Sequence, residues 1–207
     1  IGSEDFTYPN SAVDLKSGGT GFDLHQNNSR TGVPSDWNKV AGNPQIVGNA
    51  LVTNNSSARR EFNGNTEATG ARSGGRVFFK FRMTRANGNG DWGGVSSYGF
   101  AATGGALERV FFGVPAANAG ADMAGIDTQN TLAADLPEGT TKLSPISLAD
   151  GVTHTLIGVI DFDNNLLGLF VNPDATDFWN PANGSNSANA TLQYLSNNSS
   201  SAARPGS

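Results

Sequence analysis

Apolar and polar residues alternate along several short stretches of this chain, and glycine- and asparagine-rich breaks separate them. The clearest stretch is GRVFFKFRMTR, Gly75 to Arg85. Side chains along a strand point alternately to opposite faces. Val77, Phe79, Phe81 and Met83 therefore share one face, and Arg76, Phe78, Lys80 and Arg82 share the other. The pattern predicts a strand with one buried face and one mixed, basic face. A second signal is HTLIGVIDFDNNLLGLFVNPD, His154 to Asp174. It reads as two strands joined by a tight turn at Asp163-Asn164-Asn165, residue types that bond their own backbone and tolerate turn geometry. Leu156, Gly158, Ile160 and Phe162 fall on one face of the first strand, and Thr155, Ile157, Val159 and Asp161 on the other. In the second strand Leu167, Leu169 and Val171 oppose Leu166 and Phe170. Both faces are apolar enough to place this hairpin inside a sandwich.

Weaker strand signals complete the chain. They are Asp5–Tyr8, Gln45–Thr53 with a glycine irregularity, Ala58–Phe62, Trp92–Ala101, Glu108–Val114, Asp122–Thr128 and Ala190–Leu195. Residues 17 to 45 read as loop, and a proline-bearing loop is expected around Pro137 and Pro145. Ser147–Asp150 is the one helix candidate and reads equally as a turn. No segment sustains helical periodicity, and no internal repeat is visible. Many short strands with turn signals between them predict an all-β, antiparallel two-sheet β-sandwich. Residues 1–195 are expected to form one domain. Residues 196–207, rich in Asn, Ser and Ala, read as a polar tail or linker.

Composition narrows the class. At 207 residues the chain can bury a sizeable core unaided. It must do so, because it has no cysteine. Charged residues make up 15%, well below the roughly 25% usual for soluble domains. With 27 glycines and abundant Asn, Ser and Thr, such a surface suits an extracellular or cell-surface module whose signal peptide has been removed. The net charge of -5 argues against nucleic acid or an anionic membrane as partner. No run of about 18 apolar residues is present to insert into a membrane.

Three segments in order, EDFTYPN…SGGTGF, ALERVFFGVP and HTLIGVIDFDNNLLGLFVNPD, resemble the concanavalin A-like lectin/glucanase superfamily. The likeness is to the laminin-G-like jelly-roll modules of bacterial secreted and surface proteins, and it runs from Asp5 to about Leu195. It implies two antiparallel sheets packed face to face. Modules of that kind add one more strand after the segment matching Ala190–Leu195, where this chain has Asn197–Ser207 with almost no apolar side chain. Either the module is a shorter or trimmed variant, or the closing strand lies beyond Ser207. An unfinished sheet edge would recruit strands from other chains.

Glucanases of that superfamily carry two glutamates flanking an aspartate on one strand. Retaining hydrolysis needs two carboxylates about 5–5.5 Å apart. Glu4, Glu61, Glu67, Glu108 and Glu138 form no such pattern, and neither a nucleophile elbow nor a phosphate loop is present, so no enzyme activity is expected. Calcium is a more open question. Asn87, Asn89 and Asp91 place oxygens at alternate positions, although Asn-Gly pairs are also ordinary hairpin turns. Asp161, Asp163 and Asn165 form a second acidic turn, with Asp122 and Asp127 as further candidates. For sugars, Trp37, Trp92, Tyr98, Trp179 and Tyr194 are the available aromatics, with Trp92, Tyr98 and Trp179 the stacking candidates and Trp92 fitting a core position as well. The expected function is therefore a non-catalytic structural or adhesive module, able to self-associate or bind other surface proteins as a surface-layer or filament subunit. The alternative is a lectin-like module that binds polysaccharide, with or without calcium.

Overall fold

The computed structural model describes residues 5–12, 38–59, 76–86, 92–100, 106–116, 122–127, 141–161, 163, 166–180, 184–185 and 190–195. Among them every pairing is antiparallel, and the protein is all-β. The chain divides into two units, Ile1–Thr69 and Gly70–Ser207.

The first unit holds strands β1 (Ser11–Ala12), β2 (Asn38–Ala41), β3 (Gln45–Val47), β4 (Ala50–Val52) and β5 (Ser57–Arg59). They form a sheet of order β1-β3-β4 and a β2-β5 pair. The glycine irregularity expected within Gln45–Thr53 is a complete two-residue turn. Gly48 and Asn49 both take positive φ, 57° and 59°, which is the geometry that joins tightly twisted hairpin strands. One expected strand becomes the β3–β4 hairpin, in which Ile46 is fully buried. Asp5–Tyr8 is not a strand: Phe6 takes a φ of 55°, and Tyr8 N donates back to Phe6 O at 2.7 Å. That local bond removes the backbone groups a ladder would need.

The second unit holds β6 (Arg76–Thr84), β7 (Gly93–Phe100), β8 (Ala106–Val114), β9 (Met123–Asp127), β10 (Thr141–Ser147), β11 (Thr153–Asp161), β12 (Leu166–Val171), β13 (Trp179–Asn180), β14 (Gly184–Ser185) and β15 (Ala190–Leu195). Two four-stranded sheets result, in the orders β10-β9-β8-β7 and β15-β12-β11-β6, with β13 and β14 paired separately. The alternation in β6 is realised residue by residue. Val77, Phe79, Phe81 and Met83 are half-buried, and the other five residues, Phe78 among them, are exposed. Every residue of β12 is buried, as a strand apolar on both faces requires. Pro145 lies within β10 and not in a loop. The register of β10 against β9 slips between Leu143 and Ser147, and β10 is an edge strand, where a missing N–H costs no ladder bond. After Ser147 the chain turns, with Val152 N donating to Ala149 O at 3.3 Å, so the helix candidate resolves as a turn.

One buried cluster draws on both four-stranded sheets. Val110, Phe112 and Val114 from β8 and Ile126 from β9 join Leu156 and Ile160 from β11 and Leu167, Leu169 and Val171 from β12. Phe79 of β6 meets Phe112 with ring centroids 6.0 Å apart. Gly158 lies flat against that Phe112 ring, and a Cβ there would come within 2.5 Å of it. Burying each such side chain contributes about 1.5–3 kcal/mol, so this cluster is the main source of the unit's stability.

Candidate ligand-binding faces

The face of the β6–β11–β12 sheet turned away from the core is organised by one carboxylate. Asp161 ends β11 opposite Arg76, and its side chain is fully buried. Its Oδ2 accepts from Arg76 Nε at 2.8 Å and from Trp179 Nε1 at 2.7 Å. Hydrogen bonds to an ionised carboxylate are the strong kind, and a buried carboxylate needs them. This oxygen ties β6 and β13 to β11.

Trp179 is half-buried. Its ring lies on the backbone of Gly168, where a Cβ would collide with Cζ3, and it meets Phe170 edge-on at 6.4 Å. A tight turn delivers it there. Asp174 Oδ1 accepts from Thr176 N at 2.8 Å and Thr176 Oγ1 at 2.6 Å, and Asp174 N donates to Asp177 Oδ2 at 2.7 Å. The Thr176 bonds stabilise the charged form and hold the Asp174 carboxyl below its ordinary value of 3.8. Phe178, just before Trp179, is 55% exposed.

Trp92 belongs to the other sheet. It immediately precedes β7, is 61% exposed, and rests edge-on against Phe111 with centroids 6.1 Å apart. Phe111 in turn covers Gly94. Tyr98 lies in β7 opposite Glu108 and is described by its backbone alone. The structure thus brings Trp92 and Tyr98 onto one sheet and places Trp179 against the other. Asn87, Asn89 and Asp91 lie outside the described residues, as do Trp37, Asn164 and Asn165. Asp163 is exposed in the β11–β12 turn. Asp122, at a φ of 56°, pairs with Arg85, and Asp127 is buried in β9 beside Phe111. Among the described residues no three His, Asp or Glu side chains gather where they could hold a metal ion.

Other side chains take on a role in the structure. Arg85, with 7% of its side chain exposed, lies between Asp122 and Asp150, the latter at 3.8 Å, and its carbonyl accepts from Gly151 N at 2.8 Å. It fastens the end of β6 to the loops before β9 and after β10. His154 is buried, and Asn172 Nδ2 donates to its Nδ1 at 3.0 Å. Phe78 projects from β6 and is 54% exposed. Its place was readable from strand parity, whereas Arg85 gives no local sign of burial. Comparison of this chain with known proteins finds no matching family model, no matching curated protein and no matching solved structure.

Proposed function

We propose that the second unit is a two-sheet sandwich of the concanavalin A-like, jelly-roll kind, and that the protein is a non-catalytic, self-associating structural or adhesive module at or outside the cell surface. The contribution of both sheets to one buried cluster supports the sandwich. The character of the four sheet edges supports self-association. Each edge strand is paired on one side only among the described residues. Three carry features that discourage strand addition. β6 has Arg76, Lys80 and Arg82; β10 has Pro145, Lys142 and a register slip; β7 has Gly93, Gly94 and Gly99 and a slip of its own. The sequence of β15, ATLQYL, has no charge, no proline and no glycine, and a register slip against β12 is its one irregularity. An edge of that kind accepts another strand through backbone hydrogen bonds.

Light scattering over a concentration series, with electron microscopy of the products, tests this. Association that grows with concentration and is suppressed by Thr191→Lys with Gln193→Lys is the expected result. A protein that stays monomeric at high concentration overturns it. The exposure of Trp92 favours a second reading, a lectin-like module binding polysaccharide. A glycan array read with and without chelator, and with Trp92→Ala, decides it; silence in every condition removes it.

A further inference from the structure

Besides the β15 edge, and independently of it, the geometry points to a binding strip for a carboxylate-bearing polysaccharide on the exposed face of β6. Arg76, Phe78, Lys80 and Arg82 all project from this face and are all exposed. Same-face neighbours on a strand are about 7 Å apart, so the cations stand about 13 Å and 7 Å from one another along some 20 Å of strand. Lys80 and Arg82 have no anionic partner among the described residues. Arg76 is bound through Nε alone, to the buried Asp161, and its side chain is 40% exposed. The guanidinium is thereby oriented, with its terminal nitrogens left to donate. Phe78 lies between Arg76 and Lys80 as an open apolar plate, the surface on which the C–H face of a sugar ring can rest.

Charge decides the ligand class. The whole chain carries -5, so a strip in which Lys80 and Arg82 face no acid among the described residues attracts an anion against the sign of the rest of the molecule. Duplex DNA offers a charge about every 1.7 Å of axis, far denser than cations about 7–13 Å apart can match, and the acidic remainder would repel it. A polyuronate has one carboxylate per ring on an otherwise neutral, partly apolar chain. That charge density, lower than a duplex's, and the plate between cations favour it.

Calorimetric titration of the full chain with an oligogalacturonate, in chelator and at low salt, tests the strip. Its methyl ester, neutral on the same backbone, and a single-stranded oligodeoxynucleotide are the comparison ligands. The expected result is binding that weakens as salt rises, is lost with the methyl ester, and falls about tenfold or more in Lys80→Gln with Arg82→Gln. Phe78→Ala should weaken binding severalfold and leave the salt slope unchanged, since it removes contact and no charge. All three positions are exposed, and circular dichroism confirms that the variants keep the fold. No binding to oligogalacturonate, binding unchanged in the double variant, or equal binding to the oligodeoxynucleotide overturns the proposal.

Discussion

Trp179 Nε1 donates to Asp161 Oδ2 at 2.7 Å, so the last residue of β11 fixes a ring belonging to a separate two-stranded element. The same oxygen holds Arg76 of β6. Asp161→Ala should therefore release both partners and strand two donors. Because Arg76 can turn partly to water, the loss is set at about 2–4 kcal/mol. Urea unfolding with an unchanged slope measures it. A variant as stable as the parent would show that the carboxylate holds nothing.

Gly168 gives a second, separable test of the same face. A methyl group there collides with the Trp179 ring, so Gly168→Ala should cost about 1–3 kcal/mol by overpacking. In a Trp179→Ala background most of that cost should vanish, because the two sites share one contact. A double-mutant cycle that returns simple additivity would deny the contact.

Arg85 lies between two carboxylates, and its side chain is nearly inaccessible. Arg85→Met should leave Asp122 and Asp150 facing each other with no cation between them, at about 2–3 kcal/mol, reduced because both acids keep some water. Adding Asp122→Asn should recover part of the loss, since it removes half the repulsion. Thermal unfolding of the three proteins gives the order parent, double variant, Arg85→Met.

The Asp174 turn sets a pH dependence. The Thr176 bonds favour the ionised carboxylate and lower its folded value below 3.8. A lowered acid contributes its stabilisation in full above the unfolded value and loses it as pH falls through the folded one. The turn that carries Phe178 and Trp179 should thus be unaffected from neutral pH down to about 4 and loosen only in stronger acid. The Thr176 amide resonance, followed by NMR, should titrate with a midpoint below 3.8, and Asp174→Asn should abolish the transition.

Much of the architecture was legible where a strand met one environment along its whole length. β6 alternates without a break because one face meets the core and the other meets water. β12 is apolar throughout because it is covered on both sides. Legibility failed where the backbone was settled by a few local bonds. Phe6 and the Gly48–Asn49 turn depend on positive φ, to which side-chain periodicity is blind. Pro145 suggested a loop because the sequence does not show which strands will lie at an edge. The candidate sites were harder still. Asp161 had the right residue type for a metal ligand, but its role was set by Arg76 and Trp179, one 85 residues away and one 18. Trp179, in a polar stretch, suggested an open stacking surface; Gly168 provides the flat bed that takes it in.

The unequal protection of the four edges bears on how large any assembly can grow. If copies associate through the β15 edge alone, that edge is a connector of valence one. Two copies that join through it edge to edge consume both connectors, and growth stops at a pair. A chain of copies needs a different arrangement, in which each molecule also extends a segment to the edge of the next. Particle size therefore reports the wiring: a ceiling at two means edge meets edge, and an open-ended series means that every copy both gives and receives a strand.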